Sequence, residues 1–147
     1  MTFFGLPIHP LIVHAAVILV PLAAVGALAT IFVRWVRVRY GSLVAVTAVA
    51  AALSAIAARL SGEAFLATMG VPTPRMLAHA NWGLIMPWPA TALAISTVIY
   101  VITALRLTGK PTLAYWLSAG ITGVLAVATL VLIGLTGHSG AFAVWGR

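Results

Sequence analysis

The chain has 147 residues, enough for one domain, and is 63% hydrophobic and 6% charged. A soluble domain carries about 25% charged residues, so this composition excludes an ordinary soluble fold and indicates an integral membrane protein. The net charge of +7 comes from eight basic residues and one acid without a basic patch suited to nucleic acid, and the lack of cysteine excludes disulfides, thiolate metal sites and iron–sulfur ligation by this chain.

The N-terminus, Met1-Thr-Phe-Phe, lacks the positive region of a secretory signal. Met1 is therefore expected to begin the mature chain, and the first apolar run to stay as a span. That run extends from about Pro10 to Val33, long enough to cross a ~30 Å hydrocarbon core. Pro10 suits a first helical turn, and His9, preceding a proline, is pushed out of helical geometry. His9 is thus expected just outside the helix and His14 one turn inside, with a modest bend at Pro21. Arg34-Trp-Val-Arg-Val-Arg-Tyr40 follows.

Segment two runs from Gly41 to about Leu60, with room for a helical extension to Leu66. Ala48, Ala51, Ala52 and Ala55 make small-residue pairs that allow close helix approach. Arg59 and Glu63 stand four apart near its end. A connector with Gly70 and Pro72 leads to segment three, 75–105, which Pro87 and Pro89 interrupt. Two readings compete there: one helix kinked at 87–89, or a short surface helix, Arg75 to Met86, before a span from Pro87. Segment four runs from Leu113 to Thr136, with Gly137 as its cap.

The expected fold is all-α, a four-transmembrane-helix bundle forming a single domain over 1–147. The connectors after spans one and three hold Arg34, Arg37, Arg39, Arg106 and Lys110. The opposite side holds Arg59, Arg75 and Arg147, offset by Glu63. The positive-inside rule then places both termini outside. Trp35, Tyr40, Tyr115 and Trp116 fit the inner interface, and Trp82, Trp88 and Trp145 the outer one. No convincing internal repeat is visible; Pro10-x3-His14 and Pro74-x4-His79 are only a faint echo.

This topology gathers the rare polar groups. All four histidines and the only acid, Glu63, fall in one outer layer. His14 and His79 each lie about one turn into a helix, at the positive end of its dipole, which favours neutral, metal-binding imidazole. Diagonal helices in a square bundle are separated by a gap that suits two imidazoles on opposite faces of a haem. The expected cofactor is therefore haem b, with His14 and His79 as axial ligands and Gly83 leaving room beside the porphyrin. Arg75 and Arg59 lie where propionates would want cations. A second reading has His9, His14, His79, His138 and Glu63 hold copper, zinc or iron directly. A third is a cofactor-free accessory subunit of a larger membrane complex. The plain roles stand beside these. His9 caps a helix or sits at the interface, His138 caps a C-terminus, and Glu63 pairs with Arg59. Met76 and Met86 pack, while Trp82 and Trp88 anchor the interface. There is no phosphate-binding glycine loop, no nucleophile–base–acid set and no pair of carboxylates, so a redox carrier or subunit is expected rather than a stand-alone enzyme.

His9-Pro-Leu-Ile-Val-His14, His79-Ala-Asn81, Gly137-His-Ser-Gly-Ala141 and Ala143-Val-Trp-Gly146 together resemble a known group. The chain is similar, over nearly its whole length, to the bacterial domain-of-unknown-function family 2231 of small four-helix membrane proteins. The resemblance implies a multi-pass protein of the bacterial inner membrane. Family members also occur in proteins carrying Rieske domains, which implies a redox setting. Its pattern carries onto His9, His14, His79 and His138, and onto Glu63. The expected function is electron transfer between quinone and an outer-side redox protein, within the lipid bilayer, by a homo-oligomer or a subunit of a membrane complex.

Overall fold

A backbone in hydrocarbon must satisfy its own N–H and C=O groups, so each apolar run becomes a helix. The computed structural model describes residues 2–3, 6–107 and 110–146. Met1, Phe4 and Arg147, which enter the expectations above, lie outside the described residues. The helices are α1 (Ile8–Phe32), α2 (Arg34–Leu66), α3 (Pro74–Ile85), α4 (Pro87–Leu105) and α5 (Leu113–Trp145). Ahead of α1, two-residue strands β1 (Thr2–Phe3) and β2 (Leu6–Pro7) pair antiparallel.

Met86 joins α3 to α4 in helical geometry (φ −56°, ψ −36°). Its N–H donates to Trp82 O at 3.1 Å, and its own carbonyl accepts from Ala90 N at 3.4 Å. Residues 74–105 are therefore one helix bent at Met86–Pro89. The bend has a covalent cause, because Pro87 and Pro89 carry no N–H for the carbonyls of Gly83 and Ile85. Counted this way, four helices are long and apolar enough to cross a membrane: 8–32, 34–66, 74–105 and 113–145.

Three helix ends differ from the sequence reading. His9 lies inside α1, not outside it. Pro10 sits in the first turn, where N–H groups have no intrahelical partner anyway, so the helix starts before the proline. The turn between α1 and α2 is a single extended residue, Val33 (φ −116°, ψ 102°), and Arg34, Arg37 and Arg39 belong to α2. Gly137 does not cap α5, which continues to Trp145 and ends at Gly146.

Around the bundle the order is α1, α2, α4, α5, with α1 and α4 on the diagonal; α3 lies against the last turns of α5 and touches α2. The core is largely alanine: Ala23 on α1 packs with Ala48, Ala51, Ala52 and Ala55 on α2 and Ala90 and Ala94 on α4, and Ala24 and Ala27 on α1 pack with Leu93 and Ala126. Between helices in lipid, close packing substitutes for the hydrophobic effect, and small side chains allow it. Leucine, valine and isoleucine cover the outward faces, where the bilayer is their solvent.

The structure contains an internal repeat that the sequence pattern hides. A shift of 70 residues carries His9 onto His79, and the buried residues of α1 (Ala16, Val20, Ala23, Ala24, Ala27, Thr30) onto Met86, Ala90, Leu93, Ala94, Thr97 and Tyr100, all of them buried. A shift of 78 residues carries Gly41, Ala48, Ala51 and Ala55 of α2 onto Ala119, Ala126, Thr129 and Ile133 of α5, again all buried. The α1–α2 hairpin and the α3–α5 unit are therefore two copies of one pattern, facing each other across the bundle.

The end that carries the helix α1–α2 turn, the basic end, is tied by one cluster. Arg37 donates to the carbonyls of Thr30 (3.1 Å) and Ile31 (3.2 Å) and to the Tyr100 hydroxyl (3.1 Å). Tyr100 is fully buried and donates to Thr30 O at 3.1 Å. Its ring lies 5.7 Å from that of Tyr115, and the Arg37 guanidinium stands over the Tyr115 ring. The last carbonyls of α1, which no helical N–H can reach, thereby gain a charged donor from α2 and a phenol from α4.

Candidate functional site

The opposite end holds all four histidines and Glu63, as α1 and α3 begin there and α2 and α5 end there. Two of these histidines are arranged alike. The Nδ1–H of His9 donates to Ser61 Oγ at 3.0 Å, and that of His79 to Ser139 Oγ at 3.1 Å. The direction follows from the serines. Ser61 Oγ–H is committed to Ala58 O (3.0 Å) and Ser139 Oγ–H to Thr136 O (2.8 Å), which leaves each oxygen free only to accept. A ring whose Nδ1 carries the proton presents a bare Nε2 when neutral.

Each ring also rests on a glycine. A methyl added at Gly62 would stand 3.0 Å from His9 Cε1, and one added at Gly140 would stand 2.9 Å from His79 Cε1. Only a residue without Cβ lets the imidazole lie this close to the helix. Ser61-Gly62 and Ser139-Gly140 correspond under the repeat, so each half supplies one histidine and one Ser-Gly cradle. Phe65 stacks on His9, with centroids 5.8 Å apart.

The other expected site residues are placed differently. His14 is exposed, and its Nδ1–H donates to the Pro10 carbonyl in its own helix. Five residues turn a helix by about 140° beyond a full circle, so with His9 on the core side His14 points away from it. The structure does not bring His14 to His79. His138 is exposed, stacks on Phe142 at 6.3 Å, and borders an apolar groove with Val17, Pro21 and Gly134. Arg59 Nε donates to Glu63 Oε1 at 2.9 Å, a half-exposed ion pair one turn long. Arg75 donates to the Gly146 carbonyl and stands 4.8 Å over the Phe142 ring, which pins α3 to the end of α5. Among the described residues, no three of the His, Asp and Glu side chains form a metal-ligating group. Met86 and Met76 differ in setting: Met86 is buried in the alanine core with its sulfur 3.9 Å from Thr136 Oγ1, whose proton goes to Leu132 O, while Met76 is half-buried on α3.

The residues missed from sequence are the two cradles, Ser61-Gly62 and Ser139-Gly140, and the Arg37–Tyr100 cluster. One signal was present. The dipeptide Ser-Gly occurs twice in the chain, each time followed within a few residues by alanine and phenylalanine.

What this arrangement offers chemically is a pair of oriented imidazole nitrogens with lone pairs available, one from each half. Hydrogen bonds of this kind, made by the ring nitrogen that does not bind the metal, fix tautomer and ring direction in metal-ligating histidines. No curated protein and no solved structure matches the chain. A family described as "Predicted membrane protein (DUF2231)" matches residues 5–147. With four helices long and apolar enough to cross a bilayer and nearly the whole chain matched, this multi-pass membrane protein belongs to the DUF2231 family.

Proposed function

We propose that the protein is a haem-b-binding electron carrier of the bacterial inner membrane, with Nε2 of His9 and Nε2 of His79 as axial ligands. The observation that carries this reading is the matched pair of Ser-Gly cradles, which hold both imidazoles by Nδ1. The number of ligands supports haem over a bare zinc or iron ion. Zinc sites use three or four protein ligands, whereas haem iron brings four pyrrole nitrogens and takes two imidazoles. When bound, haem supplies a reversible one-electron couple. The chain's own residues fix the axial ligands, and the ligands tune the potential. The place of the pair at one end of the bundle suits exchange with a quinone headgroup or a redox protein at that membrane face.

One second reading shares the same observation. Two imidazoles also match a linear copper(I) site, for which imidazole is a suitable ligand.

The test is the visible spectrum of the purified protein, oxidised and reduced, after haem-replete expression, with metal analysis. A low-spin haem spectrum that is lost in His9→Ala and in His79→Ala is the expected result. Haem retained by both variants, or no haem in the native chain, overturns the reading. Stoichiometric copper without a Soret band selects the second one.

A further inference from the structure

Two seams of the bundle carry grooves on the lipid side, and they differ in chemistry. The groove between α2 and α4 is lined by aliphatic side chains alone, among them Val46, Leu53 and Val98. The groove between α1 and α5, about 350 Å³, is lined by Val17, Pro21, Leu130, Gly134 and Gly137 and ends at His138. Its floor is open because of the glycines. Among the described residues, a Cβ added at Gly134 or Gly137 would meet nothing within 4 Å. His14 stands on the α1 rim, on one helical stripe with Val17 and Pro21 and a turn nearer the histidine end. Its tautomer is fixed. The Pro10 carbonyl can only accept, so Nδ1 carries the proton and Nε2 of the neutral ring presents a lone pair. The repeat shows that core packing does not require any of this. The counterparts of Gly134, Gly137 and His138 are Ile56, Arg59 and Leu60, and that of His14 is Leu84. The glycine floor and the two rim imidazoles belong to one half only.

We propose that this groove binds a membrane hydroquinone, with a ring hydroxyl donating to Nε2 of His14. Three features select this occupant. Val17, Gly134 and Gly137 are exposed on the outward faces of their helices, so the ligand arrives from the bilayer and carries an apolar body. The bare Nε2 requires the ligand to bring a donor; a phosphate oxygen, itself an acceptor, would set lone pair against lone pair. The two glycines, nearly one turn apart, leave a flat floor that suits the face of a ring. His138, stacked on Phe142 with centroids 6.3 Å apart, closes the same end from the α5 side. The choice of a hydroquinone among hydroxyl-bearing lipids rests on the electron-carrier reading; the groove and its acceptor do not.

The test is equilibrium binding of a decyl-substituted hydroquinone, and of the matching quinone, to the protein in phosphatidylcholine nanodiscs without oxygen. The quinone has no hydroxyl to donate, so the native protein binds the hydroquinone about 5- to 10-fold more tightly, the worth of one hydrogen bond. His14→Ala erases that preference. Gly137→Leu fills the groove from a position with no neighbour to displace, and weakens both forms about tenfold or more while the helical circular dichroism is kept. Equal affinity for the two forms in the native protein, or a preference that survives in His14→Ala, overturns the proposal. So does undiminished binding in Gly137→Leu, or displacement by phosphatidylglycerol at equal mole fraction, which makes the groove a site for any hydroxyl-bearing lipid. Binding is read on the ligand and haem on the visible spectrum. Protein without haem that keeps the hydroquinone preference overturns the carrier reading alone, and haem-bearing protein without the preference overturns this proposal alone.

Discussion

At the basic end the Arg37–Tyr100 cluster spends its donors on neighbours. Arg37 gives hydrogen bonds to two backbone carbonyls and a phenol, and the phenol gives its own to Thr30 O. At the other end each imidazole spends Nδ1 on a serine and keeps Nε2 in hand. The first cluster bridges the two halves of the repeat, whereas each histidine contact lies within its own half. In the first half Thr30 and Arg37 occupy the positions that Tyr100 and Tyr115 occupy in the second, so the same pair of positions has diverged into an interlocking latch. The histidine positions have stayed identical. Hydrogen-bond accounting gives the contrast its meaning: a saturated cluster holds helices together, and the proposed function assigns the histidine pair's remaining ring nitrogens to a cofactor.

The contrast is broken most strongly at the latch. Arg37→Ala strands the last carbonyls of α1 and the Tyr100 hydroxyl at a buried interface. The expected loss of stability is about 3 kcal/mol, within the range for a buried charged donor removed from its partners. Thermal or steric-trapping unfolding in detergent measures it. A loss below about 1 kcal/mol would place the latch in the solvated rim and leave only alanine packing to close that end. The visible spectrum of whatever folded protein remains should not change, since the histidine pair is separated from Arg37 by the length of the bundle.

The converse experiment touches the site and spares the fold. Gly62→Ala and Gly140→Ala each add a methyl against an imidazole edge at about van der Waals overlap, 3.0 and 2.9 Å from Cε1. A histidine ring can swing away, so the helices survive; alanine is also the better helix former by about 0.5–1 kcal/mol. The imidazole is pushed off its cradle. If His9 and His79 hold a cofactor as proposed, its affinity in either variant should fall about 10- to 100-fold, the usual consequence of disturbing the support of a ligating histidine, while stability of the cofactor-free protein holds or rises. Equal losses of both would make the glycines packing residues and nothing more.

The all-α bundle was legible because hydropathy and helix length are properties of whole segments, and composition alone requires helices in lipid. The gathering of the histidines at one end was legible for the same reason, as it depends only on how many times the chain crosses. Which histidines face inward was not. That choice is set by rotation about the helix axis, and in α1 the apolar residues run all the way round, so no amphipathic stripe marks the core side. Depth made His14 look equivalent to His79, when angular position makes His9 its counterpart. The cradles were hidden for a different reason. Serine and glycine carry no charge and little hydropathy signal, and their meaning appears only once an imidazole from another helix is laid over them. Arg37 was read as an interface charge because a basic run beside a span usually is one; its bonds to Thr30 and Ile31 depend on the one-residue turn at Val33, which no local pattern announces.

The smallest expected effect is also the most discriminating between the two histidines that open the chain. His14 is exposed on α1 and bonded only to the carbonyl one turn before it. His14→Ala removes a surface side chain and a local hydrogen bond, so stability should shift by less than about 0.5 kcal/mol. Cofactor content and spectrum should match the native protein, where His9→Ala loses both. The reasoning rests on the repeat: a shift of 70 residues sends His14 to Leu84, which is exposed and has no ligating atom. If His14→Ala instead loses the cofactor and His9→Ala keeps it, the ligand lies on the outward face of α1. The two halves of the chain would then have stopped being equivalent at the one place where their side chains are still the same.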